Sequence, residues 1–373
     1  MSGLQPIAGT AEATLGLWQE SFGILASDGA TIPVHRWLPR GAPQAIVIIS
    51  HGLAEHALRY RWTATNLASR GCAVYANDHR GHGQAAMPGR LGDFGQGGFA
   101  GLVEDLRQVV WLAATENPGT PLFLLGHSMG AFAAQLFAIE NSHAVSGIVM
   151  SGGSALDLLH ESVGKKDPEE ISRDATFSAV DAPFQWLSRD PAVVDRYLDD
   201  PLCGFAVAPA SRDSFYAAGP RLRDPAELRR IRPDLPMLML SGERDPINGF
   251  LHHFGAQIER YRHAGLRNLT ARIYPGARHE VLNETNREEV LCDLFAWLQG
   301  SLQERGARAD PGTAGSRRRT LRRTLARHDA CVGAAAELPH VPDDLDGAEY
   351  YESSPLALRT AAEELGRLRK NRR

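Results

Sequence analysis

Apolar runs separated by amphipathic stretches organise most of the chain. A strand inside a parallel sheet is buried on both faces, so its sequence is a continuous apolar run. Four such runs are AIVIIS, CAVYAN, PLFLLG and GIVMS, which begin at Ala45, Cys72, Pro121 and Gly147. Residues 59–70 and 102–115, which lie between runs, carry apolar residues at helical spacing. This alternation predicts a parallel sheet with right-handed helical crossovers.

The strand pattern also occurs before and after these runs. Residues 22–50 are β-like, and PMLMLSG at Pro236 and LTARIY at Leu269 predict two more strands. Residues 287–302 predict an amphipathic helix that closes the sheet domain.

Two segments interrupt or follow this pattern. Residues 152–235 are rich in charged, proline, serine and aromatic residues, which predicts an insertion of short helices, a cap or lid. The predicted organisation is therefore an α/β core formed by residues 1–151 and 236–303, with that cap between its two parts. Residues 304–373 are Arg-rich and are predicted to be a disordered tail, ending in a short helix. The alternative interpretation of this tail is an arginine cluster that contacts anionic lipid or nucleic acid.

The composition excludes several classes of protein. Hydrophobic residues make up 43% and charged residues 23% of the 373 residues, as in soluble globular proteins. Lys and Arg (40) against Asp and Glu (44) give a net charge of −4, so no nucleic-acid partner is expected. The first twenty residues lack the features of a signal peptide, and no stretch of 18 apolar residues occurs. We therefore expect a cytoplasmic protein.

The cysteines predict neither a disulfide framework nor a zinc site. All four are far apart and show none of the Cys or Cys/His spacings of metal sites. We find no motif for a metal or an organic cofactor, so none is expected for the reaction.

The strongest chemical motif follows the strand PLFLL. Gly126-His127-Ser128-Met129-Gly130 has glycines two residues before and after a serine and precedes an alanine-rich helical stretch. Glycines at these positions permit the sharp strand-to-helix turn that lifts a serine hydroxyl above a sheet. The motif and its position predict Ser128 as a nucleophile.

A serine nucleophile needs a base and a group that orients the base. In folds with this turn, the acid and the histidine follow the serine in the chain, each after a strand. Asp245 follows the strand PMLML, and His279 follows ARIY. We predict Asp245 as the acid, with Glu243 as its main rival, and His279 as the base.

The oxyanion of such a reaction needs two backbone donors. One is expected from Met129, the residue after the nucleophile. The other is expected from Leu53, in the loop after AIVIIS, where Gly52 allows the chain to turn.

Five motifs occur across the predicted core: HGLAEH, NDHRGHG, GHSMG, SGERDP and GARHEVLNE. Together they resemble the monoacylglycerol lipase and lysophospholipase branch of the α/β-hydrolase superfamily, the serine aminopeptidase-like hydrolases, and the likeness covers about residues 22–303. The resemblance implies an α/β-hydrolase fold with a helical cap. It also implies a triad of Ser128, Asp245 and His279, with Leu53 and Met129 as the oxyanion donors.

The comparison with that branch also marks departures. Gly152-Gly153-Ser154 stands where related enzymes often have a Ser-Ala-Pro-like stretch, a change that can alter the pocket wall or the cap hinge. His82 lies in a loop that resembles a mainly architectural one, so we assign it no catalytic role.

The cap suggests the class of substrate. An apolar lidded tunnel favours an acyl chain, because each buried methylene contributes about 0.8 kcal/mol. We therefore expect an amphiphilic carboxylic ester, a monoglyceride or a lysophospholipid, and transient contact of the cap with a membrane surface. Oligomeric state is left open. The apolar cap residues are Phe177, Phe184, Trp186, Leu187, Phe205, Phe215 and Tyr216.

Other functions fit the same triad. A short-chain carboxylesterase, a thioesterase, an acyltransferase or a proline-iminopeptidase-like amidase are alternatives. The amidase would need an anionic subsite, for which the cap offers Glu161, Asp167, Glu169 and Glu170. A non-enzymatic scaffold is disfavoured, because every required triad position is filled.

Overall fold

The computed structural model of the chain describes residues 5–6, 17–163 and 184–309. Its strands are β1 (Gln5–Pro6), β2 (Trp18–Leu25), β3 (Thr31–Leu38), β4 (Ala45–Ser50), β5 (Cys72–Asn77), β6 (Leu122–His127), β7 (Gly147–Ser151), β8 (Met237–Gly242) and β9 (Leu269–Tyr274). Its α-helices are α1 (Arg61–Ser69), α2 (Gly98–Glu116), α3 (Met129–Asn141), α4 (Leu156–Val163), α5 (Pro191–Asp199), α6 (Pro209–Tyr216), α7 (Gly219–Arg223), α8 (Pro225–Leu228), α9 (His252–His263) and α10 (Arg287–Ala309).

These strands form one sheet with the order β1-β2-β3-β5-β4-β6-β7-β8-β9. From β5 to β9 along this order every neighbouring pair is parallel. The pairs β1·β2, β2·β3 and β3·β5 are antiparallel. The α/β fold with a mostly parallel central sheet, predicted from the apolar runs, is confirmed.

Both faces of the sheet are covered, as the apolar runs require. Alternate residues of β4 belong to different hydrophobic clusters: Ile46 and Ile48 to one, Val47 and Ile49 to the other. Residues of α2 and α3 join the first cluster, and residues of α1 and α10 join the second. Side chains of a strand point alternately to the two faces, so each cluster is the core on one side of the sheet.

The register of the parallel strands brings their carboxyl ends to one edge. Ser50 of β4 is paired with Gly126 of β6, and His127 with Ser151 of β7. On the other side, the end of β8 is paired with the end of β9. The loops that carry the predicted chemical residues therefore start from neighbouring strand ends, where ligands of open α/β sheets bind.

The segment between β7 and β8 contains helices α4 to α8 and, in its described parts (152–163 and 184–235), no strand. Short helices were predicted here, but the limits of the cap at residues 152 and 235 remain predictions. Phe177, Asp167, Glu169 and Glu170 lie outside the described residues. None of the helices within the described ranges is long and apolar enough to cross a membrane.

The last helix extends further than its apolar pattern predicted. We expected it to end at residue 302, whereas α10 continues to Ala309. The added residues include Gln303, Glu304 and Arg305, which are good helix formers, and the next proline is Pro311. The predicted tail beyond this helix, and the short helix near its end, lie outside the described residues.

Candidate active site

Ser128 lies at a strained turn between β6 and α3. Its φ of 50° and ψ of −116° are sparsely populated by residues with a Cβ. A Cβ on Gly126 would lie 2.3 Å from the Gly130 carbonyl oxygen, and a Cβ on Gly130 would lie 2.0 Å from the Ser50 carbonyl oxygen. The two glycines are therefore needed for backbone segments to approach closely. Strain held by such packing is a feature of functional sites.

Asp245 and His279 are brought together from the ends of β8 and β9. His279 Nδ1 lies 2.9 Å from Asp245 Oδ2, and both side chains are buried. The other carboxylate oxygen accepts the Ile247 amide at 2.8 Å, which fixes the carboxylate. His279 Nε2 is buried and has no hydrogen-bond partner within the described residues. Nδ1–H donating to the carboxylate leaves Nε2 able to accept a proton.

Glu243, the rival candidate for the acid, lies elsewhere. Its side chain is exposed, and one of its carboxylate oxygens accepts the amide of Gly276 at 2.9 Å. This hydrogen bond stabilises the turn before His279, and it does not orient the His279 imidazole.

A second histidine, His127, lies beside His279, but its pKa is shifted in the opposite direction. The ring centroids of His127 and His279 are 4.7 Å apart. Burial and the nearby His279 lower the pKa of His127 to about 4, so His127 is neutral at neutral pH. Burial also opposes charge on His279, but the Asp245 carboxylate raises the pKa of His279 above its ordinary 6.5. Such divergent pKa values give neighbouring groups different roles.

The loop after β4 lies against Ser128. A Cβ on Gly52 would be 3.3 Å from Ser128 Cβ and 2.6 Å from Glu55 Oε1. The Gly52 amide donates to that same Glu55 oxygen. Ala54 has a φ of 56°, and its carbonyl accepts the Tyr197 hydroxyl at 2.9 Å. The shape of the loop that carries Leu53 is thus determined by several contacts at once.

An unpredicted ion-pair network links this loop to the His279 loop. Arg59 donates to Glu55 and, through both terminal nitrogens, to the Glu280 carboxylate at 2.6 and 2.7 Å. All three side chains are at most 10% exposed. Burial raises the pKa of Glu55, but Arg59 and His127 outweigh burial and lower it to about 2. The pairing was not predictable because Arg59 and Glu280 are 221 residues apart.

Replacing Arg59 with methionine should destabilise the protein by about 3–5 kcal/mol, because two buried carboxylates then lose their cation. Because folding lowers the pKa of Glu55, its ionised carboxylate contributes to the stability of the folded state. This contribution is complete above the ordinary pKa of 4.5 and is lost as the pH falls towards about 2. Urea unfolding at neutral pH measures the difference.

The matched control for this prediction is Arg262→Met. Arg262 pairs with Glu259 on the exposed surface of α9, with 61% and 56% of the side chains exposed. Such pairs contribute little, and equal losses for the two variants would show that the Arg59 network does not stabilise the fold.

The segment that begins at residue 184 is tied to the His279 loop. The amides of His279 and Glu280 donate to the carbonyls of Trp186 and Leu187 at 3.2 and 2.8 Å. The Trp186 ring lies 5.2 Å from the His279 ring, centroid to centroid. This part of the predicted cap therefore places an apolar ring beside His279.

Three other cap aromatics, Phe205, Phe215 and Tyr216, make ring contacts with other side chains. Phe215 packs against Phe99 and Phe132, with centroids 5.0 and 5.5 Å apart, and is part of the core. Phe205 contacts the buried His82 ring, and Tyr216 stacks on His160. Trp186 is part of the same core, and its ring lies beside His279.

Gly152, one of the positions where the sequence departs from the related enzymes, lies where a side chain would not fit. Gly152 has a φ of 60°, and a Cβ there would lie 2.8 Å from His279 Cε1. The amide of Gly152 donates to Leu240 of β8 at 3.0 Å. The glycine therefore allows the end of β7 to approach the imidazole directly.

Comparisons with known proteins agree with this architecture. A family model described as "Serine aminopeptidase, S33" matches residues 41–286. The chain is 30% identical to a protein named "Monoacylglycerol lipase" from Mycolicibacterium smegmatis, over 74% of this chain and 95% of the relative. It is 29% identical to "Monoglyceride lipase" from Rattus norvegicus, over 77% and 93%. A carboxyl esterase from Bacillus coagulans has a similar fold, with a TM-score of 0.68 at 24% identity over 76% of this chain and 99% of that chain.

Proposed function

Because this chain belongs to the serine aminopeptidase S33 family of α/β-hydrolases, in its monoacylglycerol lipase-like branch, we propose that it hydrolyses carboxylic esters of amphiphilic lipids. The reaction passes through an acyl-enzyme formed at Ser128. The observation that carries this proposal is the strained Ser128 turn together with the buried His279–Asp245 pair, whose Nε2 is left to accept a proton.

The mechanism follows from these groups. His279, oriented by ionised Asp245, takes the Ser128 proton as the serine oxygen attacks the ester carbonyl. The amides of Leu53 and Met129 hold the oxyanion, and the amides of a first helical turn have no intrahelical acceptor. His279 then gives the proton to the leaving alcohol. Water activated by the same histidine releases the acid, without a metal or organic cofactor.

Two observations support a lipid rather than a small ester. Two of the relatives named above, from Mycolicibacterium smegmatis and Rattus norvegicus, are named as lipases of monoglycerides, and they align over most of their length. Trp186 offers an apolar surface beside His279, and Leu53 is a half-buried apolar side chain on the loop against Ser128. Contact of the cap with a membrane surface stays a prediction.

The amidase alternative gains no support from its candidate subsite. Glu161 is exposed on α4, and the other three acidic residues lie outside the described residues.

Hydrolysis of a glycerol monoester series from acetyl to oleoyl tests the proposed function. We expect turnover to rise with chain length, because each methylene buried against apolar walls contributes about 0.8 kcal/mol. Lysophosphatidylcholine and prolyl-naphthylamide serve as comparison substrates. A preference for the lysophospholipid would change the head group but keep the chemistry. Activity on acetyl esters or the prolyl amide alone would refute the lipid assignment.

The activity should also depend on pH in a predictable direction. A general base must be neutral, so kcat/KM should fall as the pH drops through the pKa of His279. That pKa lies above 6.5, despite burial, because of the Asp245 carboxylate. Measuring kcat/KM on a soluble ester from about pH 3 to 9 checks this. An acid limb near pH 4 would instead match the pKa of His127, which is about 4.

A further inference from the structure

Three side chains of different chemistry meet beside the loop that carries Leu53. His56 ends that loop, while Asp200 and Cys203 lie in the turn after α5. An imidazole nitrogen, a carboxylate oxygen and a thiol sulfur from these residues all lie within 4.8 Å of one another. His56 and Cys203 are buried, and Asp200 keeps 23% of its side chain exposed. The cluster is therefore enclosed but has a route to solvent.

The backbone holds the three groups in place. Asp200 Oδ1 accepts the Leu202 amide at 2.8 Å, and the Cys203 amide donates to the Asp200 carbonyl at 3.1 Å. This turn leaves Asp200 Oδ2 facing His56 Nε2 at 2.8 Å. The next amide, of Gly204, donates to the Ala54 carbonyl at 3.0 Å. Hydrogen bonds thus already hold the turn after α5 next to the loop after β4 without an ion.

The donor set suits a borderline divalent cation. One sulfur, one imidazole nitrogen and one carboxylate oxygen are ligands of Zn²⁺ sites that keep a fourth position open. Tetrahedral ligand atoms lie about 3.3 to 3.8 Å apart, so the present spacing needs adjustments of about 1 Å or less. We propose that His56, Asp200 and Cys203 form a binding site for Zn²⁺ or a cation of similar chemistry.

The charges around the site are compatible with a bound cation. The Asp200 carboxylate is part of the site, and the Asp78 carboxylate accepts the amide of Ala57, the residue after His56, at 2.9 Å. The charge of Arg59 is offset by the two carboxylates that it binds. On coordination, His56 binds the cation through Nε2 as the neutral imidazole that carries its proton on Nδ1, the thiol proton leaves to water, and the cation takes the place of these protons.

The bound ion would join two separate parts of the molecule. It would link the turn after α5, in the predicted cap, to the loop after β4 that contains Leu53. Sequence spacing does not reveal such a site, because His56 and Asp200 are 144 residues apart. The site is distinct from the triad, and the proposed reaction does not require it.

Titration of the full-length protein with Co²⁺, a spectroscopic substitute for Zn²⁺, tests the assignment. We expect one Co²⁺ per chain, with the intense visible bands of a tetrahedral ion and a thiolate-to-cobalt charge-transfer band. Cys203→Ser should remove the charge-transfer band. His56→Gln should weaken Co²⁺ binding by about tenfold or more, since even outer groups of metal sites have effects of this size.

Two other cysteines provide the controls. Cys72→Ser changes a buried thiol on β5 and should keep the band, as should Cys331→Ser in the tail. The proposal is overturned if the wild type gives no such spectrum, if the band survives Cys203→Ser, or if Cys331→Ser removes it. Should Cys203→Ser fail to fold, Asp200→Asn at its partly exposed position gives the same test, with binding about tenfold weaker expected.

Thermal unfolding gives a second readout that is independent of ester hydrolysis. A cation that binds only the folded chain raises Tm with concentration. Zn²⁺ should raise the Tm of the wild type reversibly, with EDTA restoring it, and should raise the Tm of His56→Gln less at the same Zn²⁺ concentration. An equal rise in both proteins would contradict the site. Because neither readout uses the triad, failure of the proposed hydrolase activity would not affect this result.

Discussion

Replacing Ser128 with alanine is expected to reduce ester hydrolysis by roughly 10⁵- to 10⁶-fold, the largest effect of any single substitution in this chain. Alanine lacks the oxygen that forms the acyl-enzyme, while the oxyanion donors and the binding surface remain. The variant should keep its fold, because alanine fits the turn at Ser128 as well as serine does. Single-turnover kinetics on a soluble ester and labelling by a fluorophosphonate measure the loss.

Ser69→Ala is the matched control for Ser128→Ala. Ser69 ends α1, where its hydroxyl donates to the Asn66 carbonyl at 2.9 Å. This variant should react with one equivalent of fluorophosphonate, as the wild type does. Folded Ser128→Ala protein that retained hydrolysis or labelling would place the chemistry at another residue.

Asp245→Asn should lower kcat by about 10⁴-fold while leaving the fold intact. An amide in place of the carboxylate can hold His279 in the wrong tautomer, with Nε2 carrying the proton, and it no longer stabilises the imidazolium. The residual activity should show an acid limb at lower pH, since the Asp245 carboxylate is what raises the pKa of His279 against the effect of burial. A pH profile of kcat/KM separates this outcome from simple misfolding.

Glu243→Gln serves as the control for the Asp245 variant. It makes the same chemical change two residues earlier, at an exposed side chain whose bond is to the Gly276 amide. We expect activity close to that of the wild type. If Glu243→Gln lost as much activity as Asp245→Asn, the choice of Asp245 as the acid would be wrong.

The ion-pair network and the proposed cation site concern the same loop after β4. Arg59 connects Glu55 of that loop to Glu280, which directly follows His279. His56 connects the loop to Asp200 on the other side. The loop that carries Leu53 is therefore held by polar contacts to both Glu280 and Asp200, which fits the oxyanion role proposed for Leu53.

The sequence by itself determined the layers of the fold and the candidate chemistry. Short, continuous apolar runs bounded by turn residues are typical of central strands, so they predicted β4 to β8 and the parallel sheet. The glycines around Ser128 predicted the turn, because their spacing is local and has a steric cause. Asp245 and His279 were predicted by their positions after strands, since strand ends of a parallel sheet meet at one edge.

The tertiary structure alone decided which polar side chains meet across long stretches of sequence. Arg59 and Glu280 are 221 residues apart, and His56 and Asp200 are 144 apart. Nothing local marks such pairs, because an isolated Glu, Arg or His looks the same in a sequence whether it is buried or solvated. The position of Trp186 beside His279, and the choice between Asp245 and Glu243, likewise depend on packing between loops. Hydrophobic periodicity determines elements, whereas the pairing of buried charges is decided only when those elements are assembled.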